Sequence, residues 1–86
     1  MANQSEENKM QVYVKNLKGT SQAFDISNDE TVDSLMKKVE EQLGITKNQQ
    51  RLIFGGRNLV SGKKLTDYRI KHASTIHLVF RQLGGN

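Results

Sequence analysis

Apolar residues alternate with polar ones near both ends of this chain, and recur every third or fourth position in between. Met10, Val12 and Val14 alternate with Gln11, Tyr13 and Lys15, the period-2 pattern of a strand with one face buried. Leu17-Lys18-Gly19-Thr20 follows as a turn, with Gly19 suited to a positive φ. A second strand over about 21–27 buries Phe24 and Ile26 and leaves Gln22 at the rim of the sheet, so the pair makes a hairpin. At Thr31 the period changes. Val32, Leu35, Met36, Val39 and Leu43 form one stripe of an amphipathic helix, while Lys37, Lys38, Glu40 and Glu41 lie off it. Thr31 is placed to cap the helix N-terminus and Asp33 to complement its dipole. Gly44 is placed to end it in a left-handed conformation, with Ile45 as the hydrophobic seal.

Beyond the helix the elements are shorter. Residues 46–49 form a polar connection, Arg51 to Phe54 a strand, Gly55-Gly56 a turn, and Asn58-Leu59 a stub of another strand. Leu65, Tyr68 and Ile70 have the spacing of a single helical turn or compact loop, with the Tyr68 hydroxyl bonded to loop backbone. The last strand turns Ile76, Leu78 and Phe80 inward and His77, Val79 and Arg81 outward. Its alternation fails before Gly84-Gly85, whose backbone a partner can approach from every side, although terminal glycines also fray for no functional reason. Hairpin, helix, short strands and a long final strand are most simply assembled as one helix crossing a mixed sheet, an α+β fold. The first and last strands are candidates for its central pair, and the helical crossover permits them to run parallel. Residues 1–9 are expected to be a disordered extension, 10–81 the folded domain and 82–86 a flexible tail.

Composition narrows the chemistry. Eighty-six residues support one small domain. With no cysteine there is no disulfide, no thiolate nucleophile and no sulfur-bound metal, and there is no apolar run of membrane length. A cytoplasmic and nuclear setting is the expectation, without membrane association. The net charge of +4 is concentrated between Lys47 and His72, where Asp67 is the single acid. Those cations are scattered and not interleaved with aromatics, which argues against a nucleic-acid surface and for a solvated face attractive to acidic partners. His72 and His77 have no ligand spacing and no motif nucleophile beside them, and Gly55-Gly56-Arg57 lacks the Lys-Ser/Thr of a phosphate loop. No catalytic residues and no metal or cofactor site are expected, so the chain is not expected to be an enzyme. Asp29, Glu30 and Asp33, clustered before the helix, are accounted for by capping. If Leu52 and Phe54 turn inward, Ile53 faces out, and Val79 and His77 face out on the last strand. A contiguous set of this kind is a binding surface and isolated exposed residues are not; alternation alone leaves both readings open.

The run Gln49-Gln50-Arg51-Leu52-Ile53-Phe54 with Gly56, Leu59, Gly62, Leu65, Asp67-Tyr68 and Ile70 resembles the middle of the ubiquitin family. Met10-Gln11, Val14-Lys15 and Leu17 resemble its start. Ser74-Thr75, His77-Leu78-Val79, Arg81 and Gly84-Gly85 resemble its end. The resemblance covers residues 10–85 without an insertion, and includes exposed and turn residues that core packing alone would not reproduce. It implies the β-grasp fold, a five-stranded mixed sheet holding one main helix. It also implies a monomeric protein modifier whose partner-binding patch is Leu17, Ile53, His77 and Val79, with Arg51 beside it. Gly85 would be the carboxyl that a ubiquitin-type activating enzyme adenylates and a conjugating enzyme passes to a lysine amine. Arg81 and Gly84 would be read in the tail. Asn86, one residue past the diglycine, resembles a precursor extension that a C-terminal hydrolase removes after Gly85. Ubiquitin-binding modules and proteasome receptors would be the readers.

The departures are specific. Leu83 stands where the family has an arginine. Arg57 and His72 occupy the two best-known chain-linkage positions, with Thr20, Met36 and Gln42 at others, so only Lys15 and Lys38 match linkage lysines. The resemblance therefore implies a single tag or chain cap. The alternative is a domain that is never conjugated and serves an adaptor by docking on the proteasome or another ubiquitin receptor.

Overall fold

The computed structural model describes residues 9–80. Strand β1 (Lys9–Lys15) pairs antiparallel with β2 (Ser21–Ser27), and helix α1 (Val32–Leu43) follows. Then come β3 (Gln50–Phe54), β4 (Arg57–Asn58) and β5 (Thr75–Phe80), with single 3-10 turns at Lys47–Gln49 and Leu65–Tyr68. The sheet order is β2-β1-β5-β3-β4. β1 and β5 are parallel neighbours, while β3 is antiparallel to both β5 and β4. This is the five-stranded mixed sheet with one main helix that the resemblance implies, with the first and last strands side by side at its centre.

The alternating residues supply one face of the core: Val12, Val14, Phe24, Ile26, Leu52, Ile76 and Leu78 are all buried. Val32, Leu35, Met36 and Val39 of the helix close over them. Leu59, Leu65 and Ile70 complete the cluster, with Ile45, Phe54 and Tyr68 packed against it. The helix begins where expected, the Thr31 Oγ1 accepting from the Ser34 N–H at 3.1 Å. It ends at Gly44, φ 76°, whose N–H donates to the Glu40 carbonyl. The Tyr68 hydroxyl accepts from the Val60 N–H at 2.9 Å, the loop-backbone bond its burial requires.

Several expectations are corrected. Phe80 shares its strand face with Ile76 and Leu78 yet is 59% exposed, because it lines only an open groove, with Leu17 and Ile45 among its walls. Leu43 closes the last helical turn beyond the core and is exposed as well. Lys9, placed in the disordered leader, is the first residue of β1, β3 starts one residue early at Gln50, and β4 ends at Asn58. Gln50 is buried because its amide ties strand to helix, Nε2 donating to the Met36 and Ile45 carbonyls at 2.9 and 3.0 Å. Residues 1–8 and 81–86 lie outside the described residues. The expected tail features at Arg81, Gly84, Gly85 and Asn86 fall there.

Candidate functional site

The side of the sheet away from the helix carries the candidate surface. Because successive strand residues alternate in direction, the burial of Leu52, Ile76 and Leu78 forces Ile53, His77 and Val79 to the opposite side. Strand register then decides which of them meet. Ile53 lies directly across from His77, and Arg51 directly across from Val79. On the other side of β5, Lys15 is the partner of His77, and Asn58 of β4 is the partner of Ile53. One row across the sheet therefore reads Lys15, His77, Ile53, Asn58, with neighbours about 5 Å apart. A second row holds Val79 and Arg51. Ile53 and Val79 are half-buried by their neighbours, and His77, Arg51 and Lys15 are exposed. The two rows hold an apolar centre flanked by cations and contain no acid.

Leu17 sits apart from these rows, in the β1–β2 turn two residues beyond Lys15, and is 81% exposed. Asn16, which the sequence reading passed over, builds that turn. Its Oδ1 accepts from the Lys18 and Thr20 N–H groups at 2.9 and 3.0 Å, holding the loop closed while Leu17 projects from it. Asn16, two residues ahead of Lys18-Gly19, is the available signal, since asparagine side chains bond backbone two residues on. Leu17 lines a groove of about 340 Å³ with Asn16, Lys18, Ile45, Leu78 and Phe80 at the end of the sheet. His72, expected as a loop residue, makes a structural bond away from this groove: its Nδ1 accepts from the Gln11 N–H near the start of β1 at 3.1 Å.

Capping does not account for Glu30 and Asp33: Thr31 supplies the cap, and the two acids bind other groups. Glu30 is buried, and its carboxylate accepts from the Ser27 N–H and the Ser27 and Ser34 hydroxyls, and pairs with Lys38 at 2.9 Å. Burial pushes its pKa up, but these bonds and the Lys38 charge outweigh that and leave it lowered. Asp33 pairs with Lys47 at 2.7 Å and accepts from the Ser61 hydroxyl and the Gly62 N–H, which lowers its pKa to about 2. The two expected linkage lysines differ sharply. Lys15 is exposed on the candidate face, whereas the Lys38 ammonium is held by Glu30 and by the Asp25 carbonyl at 2.9 Å.

Comparison with known proteins matches residues 12–83 to the ubiquitin family. Ubiquitin-like protein 4A of Rhinolophus ferrumequinum is 42% identical over 74 residues, spanning 86% of this chain and 46% of its own. The Homo sapiens protein of that name is 40% identical over 74 residues, spanning 86% of this chain and 47% of its own. Ubiquitin-like protein NEDD8 of Dictyostelium discoideum is 38% identical over 76 residues, spanning 88% of this chain and 99% of its own. The chain thus spans about half the length of the first group and nearly all of the second.

Proposed function

The chain belongs to the ubiquitin family, and from that membership we propose that it is a ubiquitin-like modifier, trimmed after Gly85 and joined through the Gly85 carboxylate to lysine amines of other proteins. The observation that carries this reading is the run Arg81-Gln82-Leu83-Gly84-Gly85, a basic residue leading into a diglycine, with Asn86 after it. The chain itself performs no catalysis in this scheme. A hydrolase breaks the Gly85–Asn86 peptide bond. An activating enzyme adenylates the exposed carboxylate, which attacks the α-phosphorus of ATP and expels pyrophosphate, and a cysteine thiol then displaces AMP to give a thioester. A lysine amine then attacks the thioester carbonyl, forming the C–N bond as the thiol leaves. Arg81 and Gly84 are the tail residues those enzymes would read, and the sites of action would be cytoplasm and nucleus. The alignment with ubiquitin-like protein NEDD8 of Dictyostelium discoideum, over 99% of that relative, favours this reading.

Partners would grip the outer face through Ile53, Val79, His77 and Leu17. The acid-free rows holding Lys15 and Arg51 favour readers that surround an apolar centre with carboxylates. The test is direct. The chain ending at Gly85, given a ubiquitin-type activating enzyme and ATP, is expected to form a thioester band that reducing agent abolishes. No band at any enzyme concentration would reject conjugation.

A second reading is a docking domain that is never conjugated. It is favoured by relatives in which a similar segment is about half of a longer chain. Under it the outer face still binds receptors while Gly85 forms no thioester.

A further inference from the structure

Lys38 joins three parts of the fold at one nitrogen. It lies on helix α1, pairs with the Glu30 carboxylate that precedes the helix, and donates to the Asp25 carbonyl of β2, both at 2.9 Å. β2 is the outermost strand on its side of the sheet, so the ammonium caps a carbonyl on an open edge. The Glu30 side chain is 6% exposed and the Lys38 side chain 38%. The carboxylate is thus fixed inside while its counter-ion remains within reach of solvent. The remaining donors to Glu30, from Ser27 and Ser34, are neutral. Lys38 is the one cation paired with this enclosed carboxylate among the described residues, and removing one partner of a buried pair costs more than the pair contributes.

We propose that Lys38 is an acylation-sensitive lock: an acyl group on its nitrogen loosens helix α1 from the β2 edge, whereas the same group on Lys15 leaves the fold intact. Where the acyl group is another modifier, the inference rests on the conjugation reading above; an acetyl group acts identically without it. For either, the ammonium must first leave Glu30 and give a proton to solvent. The free amine then attacks the carbonyl carbon of a thioester, the C–N bond forms, the C–S bond breaks, and the thiolate departs as a thiol with the second proton. The amide left behind is neutral and has one N–H where the ammonium had three. It cannot serve Glu30 and the Asp25 carbonyl together. Lys15, exposed on the outer face, makes no ion pair among the described residues, so its acylation disturbs no such junction.

Full-length chains carrying Nε-acetyl-lysine at position 38 or position 15 test this by thermal melting and amide exchange. Acetylation at 38 is expected to lower the melting temperature by about 5–10 °C and to speed exchange across residues 21–27, while acetylation at 15 shifts it by no more than about 2 °C. In a Glu30→Gln background, the loss caused by acetylation at 38 is expected to fall by more than half. Lys38→Arg, which keeps the charge, is expected to lose less than half of what Lys38→Gln loses. Unchanged melting on acetylation at 38, or an equal loss in the Glu30→Gln background, overturns the lock. Neither readout requires an activating enzyme, so failure of the lock is separable from failure of conjugation.

Discussion

Ile53 shows how one side chain can matter to partners and little to the fold. Its strand neighbours Leu52 and Phe54 face the helix side, and it lies outside the buried cluster. Truncation therefore opens no enclosed cavity. Burying one aliphatic side chain in a complex is worth roughly 1.5–3 kcal/mol. Ile53→Ala is accordingly expected to weaken binding of a ubiquitin-binding module about 10- to 100-fold in an NMR titration, with the dispersion of the free spectrum preserved. Equal affinity for the variant would remove Ile53 from the surface. That Ile53 points outward was legible from alternation. That it sits directly across from His77 was not, because register between strands distant in sequence is fixed by the whole sheet. The role of Glu30 is illegible in the sequence for a related reason. A glutamate ahead of a helix looks like a dipole partner, and only folding brings Ser27, Ser34 and Lys38 around it.

At the scale of the element, helix α1 was the most legible part of the chain, since cap, stripe and stop signals agreed with one another. Thr31 contributes through a single hydroxyl accepting from the Ser34 N–H. Thr31→Ala is expected to cost about 1 kcal/mol, read as a fall of roughly 4–8 °C in melting temperature, while Thr31→Ser retains most of the stability. The misjudged elements lie where periodicity is short. Phe80 continues the alternation of β5, yet alternation records direction and cannot reveal how much of the facing surface is covered. Asp33 was read as a dipole partner, but it also fastens the start of α1 to the loop after β4 through Ser61 and Gly62.

For the whole molecule, the Glu30 and Asp33 carboxylates tie stability to pH on the acid side. Both have lower pKa values in the folded state than their ordinary values, so protons bind the unfolded chain more readily. Their contribution is complete above the unfolded range, and it is lost as pH falls through the folded values. For Asp33 that window runs from about 3.8 down to about 2. Melting temperature is expected to hold level near neutrality and drop between pH 4 and pH 2, and Asp33→Asn to flatten part of that drop. A profile unchanged by Asp33→Asn would mean that the clasp adds nothing to folding.

The parallel contact between β1 and β5 also governs how the molecule meets force. Tyr13, Val14 and Lys15 align with Thr75, Ile76 and His77, so tension drawn out through Phe80 against an anchor at Lys9 slides two central strands lengthwise. Every bond between them is then strained at once and none can be peeled first. Pulling along this line would load the two strands in shear, whereas pulling on the β3–β4 hairpin would open the sheet from its side like a zip.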